Sequence, residues 1–169
     1  MVWVGRHEIR SNGFRRTCSR VTLILGIDPG KNGAAALIRV AAGAIAQCFI
    51  EAWTIEHQRP LALAAKARLI VVEAQHASPQ MGTRSAFALG QAYGAVRGAM
   101  AGLNHPWVEY VQPAVWRGSY GLGGGAAGKE AGIAMARDVL REPDRPLTHD
   151  EADAVLLAWY GWRNIVQKQ

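Results

Sequence analysis

Four carboxylates have the residue types and spacing to do chemistry: Asp28, Glu73, Asp150 and Asp153. Asp28 closes the apolar run LILGID, and Glu73 closes a second such run, LIVVE. A strand flanked by others is buried, so an acid at its end either emerges at the sheet edge or is desolvated at heavy cost. One such acid commonly marks a strand end reaching solvent, whereas two of the same form are better explained by a metal site. Pro29 and Gly30 turn the chain directly after Asp28 and leave space beside its carboxylate. The third acidic segment is THDEADAVLLAWYGWRN. There Thr148 and Glu151 have the spacing of a capping box, which starts a helix at Thr148. Asp150 and Asp153 are then three residues apart on one helical face. Complementing the helix dipole accounts for Asp150 and Glu151. It accounts poorly for Asp153, which lies beyond the first turn among apolar neighbours.

The chemistry open to such a set is that of a hard cation. Mg²⁺ prefers oxygen ligands and takes a few carboxylates together with waters and substrate phosphate oxygens. Two such ions about 4 Å apart activate a water and stabilise the leaving 3′ oxygen in phosphodiester hydrolysis. Carboxylates gathered from separate segments are what that site requires.

The elements that must position these acids begin near Thr22. TLILGID is a strand, PGKNG a turn, and AAALIRV a second strand that makes a hairpin with the first. AIAQCFIEAW reads as a third strand, a short helix covers Leu61 to Ala67, and LIVVEA is the fourth strand. A long helix over about Arg84 to Leu103 precedes a fifth strand, WVEYV. Pro113 to Tyr120 is a helical turn, GLGGGAAG a mobile loop, and Lys129 to Leu140 another helix. The last helix runs from Thr148 to about Asn164. This order predicts an α/β fold, a five-stranded mixed sheet flanked by helices.

The 169 residues are half hydrophobic and about a fifth charged, which favours one globular domain, residues 22–169. No apolar run approaches a membrane span. Cys18 and Cys48 are too few and too scattered for a disulfide framework or a zinc site, so a reducing, cytoplasmic setting is expected. Residues 1–21 differ from the rest. Five arginines stand against one acid in the first twenty, without an apolar signal region. They read as a flexible basic extension, as translation from a start codon upstream of the true one, or as an Arg-rich presequence. The remainder holds 14 basic residues against 12 acids, or against 8 once the four candidate ligands are set aside. A basic surface around an acidic pocket suits a polyanion held over bound metal.

LGIDPGKNGAAAL, VVEAQHASP with the later SAFALGQAYGAVRGAM, and HDEADAVLLAWYG together resemble the RuvC-type Holliday junction resolvases, particularly their small phage-borne relatives. The resemblance runs from about Leu23 to Gly161 with the motifs in order. It implies a ribonuclease H-like fold and a homodimer acting on four-way or other branched DNA. It also implies Mg²⁺-dependent hydrolysis (Mn²⁺ substituting) that leaves 5′ phosphates. Asp28, Glu73, Asp150 and Asp153 match the family's catalytic, metal-binding acids. His149 rivals Asp150 for the fourth role, because relatives carry His at one position or the other. Lys129 matches a basic residue placed near the cut phosphate, and the glycine-rich loop before it would close on DNA. In the loop after Glu73, bacterial members have an aromatic wedge where this chain offers Gln75, His76 and Met81, so His76 is a DNA-binding candidate.

Gly90, Gly94, Gly98 and Gly102 fall on one face of the long helix, at about 1 kcal/mol each relative to alanine. A dimer contact or packing on the chain's own sheet would offset that cost. Trp107, Trp116, Trp159 and Trp162 read as packing residues, whereas Trp53 and Tyr120 are expected to be exposed. Three other functions are compatible with parts of the pattern. An actin-like ATPase shares the GIDPG loop but needs a second domain. A ribonuclease H-like nuclease could act on RNA–DNA hybrids or flaps. A non-catalytic branched-DNA binder has no need of the acids.

Overall fold

The computed structural model describes residues 21–30, 32–53 and 59–169. Apart from Val21, which is exposed, the expected basic extension lies outside the described residues. Five strands form one sheet in the order β3-β2-β1-β4-β5: β1 Thr22–Asp28, β2 Ala34–Ala41, β3 Ala44–Ala52, β4 Leu69–Glu73 and β5 Val108–Val111. β1 pairs antiparallel with β2 and parallel with β4, and β4 pairs parallel with β5. The sheet is therefore mixed, as the order of elements predicts. The β2–β3 turn is made by Ala42 and Gly43, both at positive φ, which suits the twist of a two-residue hairpin.

Helices cover both faces. α1 is Arg59–Ala64, α2 Thr83–Leu103, α3 Pro113–Gly118, α4 Gly125–Leu140 and α5 His149–Tyr160. Because successive strand side chains alternate between faces, β1 and β4 each feed two cores. Leu25, Ile27, Ile70 and Val72 pack with Val96 and Met100 of α2 and Ala64 of α1. Ile24, Leu69 and Val71 face the other way, onto Trp116 of α3 and Val155 and Leu156 of α5. The parity that buries Ile24 and Val71 in this second core also directs Asp28 and Glu73 toward it.

α5 sits unusually close to β1. A Cβ at Gly26 would land within contact distance of the Ala154 carbonyl oxygen and 2.5 Å from the Ala158 nitrogen, both backbone atoms. The predicted capping box is present: Thr148 accepts from the Glu151 N–H, and the Glu151 carboxylate accepts from the Thr148 N–H.

Several expectations need correction. The final helix does not run unbroken to Asn164, because a π-helical segment, Gly161–Val166, takes over where the bare Gly161 rests on Val71 and Leu69. α4 starts at Gly125 rather than Lys129, so half of the expected loop is helical. Gly128 is backed so tightly against the Gly123 carbonyl that a side chain there would collide. Trp53 is buried, packed with α1 at the end of the hairpin, and its N–H donates to the Gly33 carbonyl at 2.7 Å. Tyr120 is half-buried, its hydroxyl donating to the Leu156 carbonyl at 3.0 Å. Trp116 is fully buried, while Trp107, Trp159 and Trp162 pack against the core as expected. The four glycines of α2 do not pack on the sheet: among the described residues, a Cβ at any of them would meet nothing within 4 Å. α2 meets its own sheet through Val96 and Met100 instead. Among the described residues no helix is long and apolar enough to cross a membrane.

The close approach at Gly26 generates a stability test. Gly26→Ala should lower unfolding free energy by more than the roughly 1–3 kcal/mol usual for overpacking, because backbone must move. Gly123→Ala, with nothing within 4 Å, should stay within about 0.5 kcal/mol of the parent in the same urea titration.

Candidate metal centre

Parallel pairing matches Ile27 with Val72, so the next residues, Asp28 and Glu73, end neighbouring strands at one edge. Both are buried, at 6% and 8% exposure. Asp28 Oδ1 accepts from the Gly30 N–H at 3.2 Å, the local turn that Pro29-Gly30 predicts. Glu73 is held from both sides. Trp116 Nε1 donates to its Oε2 at 2.8 Å, and Gln75 Nε2 donates to its Oε1 at 2.7 Å. The N-terminal turns of α5 bring Asp150 and Asp153 to the same edge, each about one-sixth exposed.

These four carboxylates feel one another. Burial drives the Asp28 pKa from 3.8 up to about 8, and repulsion from Glu73, Asp150 and Asp153 adds to the rise. The Glu73 pKa is also raised by burial, which outweighs the hydrogen bond from Trp116. The Asp153 pKa is raised too, burial prevailing over the nearby Arg117 guanidinium. The three acidic segments therefore converge on one low-dielectric site.

The remaining candidates fall into two groups. Lys129 and His149 line the site's exposed side: Lys129 Nζ lies 3.4 Å from His149 Nε2, which is 3.0 Å from Asp150 Oδ1. His149 thus touches Asp150 and does not displace it from the cluster. His76 is exposed in the loop after β4, in a cleft shared with Gln75 and with Leu89 and Tyr93 of α2.

Sequence reasoning missed two contacts at the site. Trp116 was expected only to fill space, yet it also holds Glu73. Arg117 was not singled out, yet its Nη1 pairs with Asp153 Oδ2 at 2.8 Å. No spacing signature marks either residue, because the contacts depend on how α3 is laid across the sheet. The Trp116-Arg117 pair stands in a six-residue helix ahead of a glycine-rich stretch, a weak signal because Trp162-Arg163 repeats the same dipeptide.

The chain is similar in structure to two solved structures. One is "T. thermophilus RuvC in complex with Holliday junction substrate", with a TM-score of 0.56 and 21% identity, covering 85% of this chain and 97% of that one. The other is "Thermus thermophilus RuvC structure", at 0.55 and 22%, covering 83% and 96%. The fold is ribonuclease H-like. Neither a protein-family model nor a curated protein matches the sequence. At these identities the likeness to RuvC is one of architecture, so chemistry must be argued from the chain's own site.

The donors suit a hard divalent cation in kind, being all carboxylate oxygens in a cluster whose charges repel one another. Among the described residues, no three His, Cys, Asp or Glu side chains are gathered closely enough to hold one ion as they stand. Asp153 is engaged by Arg117, and Asp150 by His149.

A pH prediction follows from Asp28. Between about pH 4 and 8 the folded chain retains a proton that the unfolded chain releases. Its stability contribution is thus full at low pH and is lost as pH rises through about 8. Asp28→Asn should flatten that decline. With a chelator present at pH 8, the variant should be the more stable by on the order of 3 kcal/mol in chemical denaturation.

Proposed function

We propose that the chain is a metal-dependent, structure-specific endodeoxyribonuclease that cuts four-way or related branched DNA. The observation carrying this reading is the convergence of acids from three separated segments at one sheet edge. There burial first, and repulsion from neighbouring acids second, raise the proton affinity of Asp28, Glu73 and Asp153. Asp28, Glu73, Asp150 and Asp153 are the proposed ligands of Mg²⁺, with Mn²⁺ able to substitute. When bound, such ions supply Lewis-acid activation of water and neutralise charge at the leaving 3′ oxygen, giving 5′-phosphate ends.

The chain's own residues do the rest. Trp116 and Gln75 fix the Glu73 carboxylate, as outer hydrogen-bond partners fix ligands in metal sites. Lys129, exposed beside His149, would meet a DNA phosphate, and His149, 3.0 Å from Asp150, would orient its carboxylate. His76, on the loop after β4, would contact DNA away from the acids. Gln75 is committed to Glu73 and is poorly free to wedge a junction open. A homodimer through α2 is the assembly that best explains its open glycine face and the exposed Phe87. Residues 22–169 would form the nuclease domain, working in a reducing, cytoplasmic setting. The similar fold of a RuvC solved with a Holliday junction supports the four-way substrate over RNA–DNA hybrids or flaps.

Four-way, three-way, flap and hybrid substrates offered side by side in Mg²⁺ test the reading. Paired symmetric nicks restricted to the four-way junction are expected, and cutting of hybrids alone would refute it. Asp28→Asn should lose more activity than the roughly 10- to 100-fold that removing an outer-shell partner costs, while still retarding junctions in a gel. Cleavage that persists in this variant would remove Asp28 from the site.

A further inference from the structure

α3 reaches the acidic site with two adjacent residues, and they treat their partners differently. Trp116 donates a neutral hydrogen bond to Glu73. Arg117 places a full positive charge on Asp153, with Nη1 2.8 Å from Oδ2. The guanidinium has a second anchor, Nη2 donating to the Gly128 carbonyl in the first turn of α4 at 3.3 Å. It also lies over the Trp116 ring, Cζ 5.1 Å from the centroid. Both members of the ion pair are mostly shielded, at 18% and 16% side-chain exposure, so solvent screens it little. The other oxygen, Asp153 Oδ1, lies near Gly132 of α4, 3.6 Å from where a Cβ there would stand. The charged and titratable groups acting on Asp153 are thus Arg117, Asp150, His149, Asp28 and Glu73.

We infer that Arg117 is a resident counter-cation which a divalent ion must displace from Asp153, making it a positioning residue that sets the site's metal affinity. This rests on the metal-site reading proposed above. An arginine and a hard cation that use the same carboxylate oxygen exclude each other, and two ligands in mutual exclusion weaken each other reciprocally. The exchange costs little order, because Gly128 and the Trp116 ring still hold the released guanidinium. It also explains how a carboxylate cluster is tolerated without bound metal: one member is neutralised from within.

The sign of the effect makes the inference testable apart from cleavage. The full chain is titrated with Mn²⁺ without DNA, free Mn²⁺ being read by electron paramagnetic resonance. Thermal midpoints are recorded alongside, with and without the ion. Arg117→Gln should bind Mn²⁺ about tenfold more tightly than the parent and gain more in midpoint from it, whereas Arg117→Lys should stay near the parent. Equal or weaker binding by folded Arg117→Gln overturns the inference. Should that variant fail to fold, the unaltered chain decides: Mg²⁺ saturation should shift the Arg117 Nε–H resonance, and an unmoved resonance overturns it. Mn²⁺ binding that is absent from the parent, or present but unaffected by Asp28→Asn, would instead bring down the metal-site reading, and this inference with it.

Discussion

Parallel pairing of β1 with β4 is the constraint on which the rest of this structure depends. It brings two strands out at the same edge in step, and each ends in an acid that the surrounding core dries. A desolvated carboxylate beside another is costly unless it is protonated, hydrogen-bonded or neutralised. All three remedies are present. Asp28 is pushed toward the protonated form, Glu73 receives two side-chain donors, and Asp153 takes an arginine.

The edge would be only two buried acids if α5 did not arrive there. Its approach depends on the absence of a side chain at Gly26, which lets the α5 backbone settle directly on β1. The capping box fixes where the helix starts, and so which residues of its first turns reach the edge. Ala152 then faces the core, while Asp150 and Asp153 reach the acids at the strand ends. A bare glycine in a strand and a helix cap, neither of them chemical, thus decide the composition of the site.

Glycines serve two different ends in this chain. At Gly26, Gly128 and Gly161 a Cβ would strike neighbouring atoms, so each is required by packing that is visible in one copy. Along α2 the glycines front open space, and among the described residues no neighbour within 4 Å offsets the roughly 4 kcal/mol they forfeit in helix propensity. The second set leaves that stretch of α2 flat and close to its backbone.

The strands and most helices were legible because burial imposes period on sequence. TLILGID and LIVVE are apolar along most of their length because both of their faces are covered, and Thr148 with Glu151 announces a helix start three residues apart. The acids were legible for the same reason, since a charge ending an apolar run contradicts its surroundings. What escaped the sequence had no periodic cause. Trp53 is buried by how the hairpin end meets α1, and α4 gained a turn through Gly128 packing on Gly123. Arg117 reaches Asp153 across 36 residues, and Trp116 reaches Glu73 across 43. Such contacts are set by the placement of α3, a tertiary quantity to which no local pattern is coupled. The acids of the site can thus be read from the chain, whereas the groups that hold and neutralise them emerge only once it is folded.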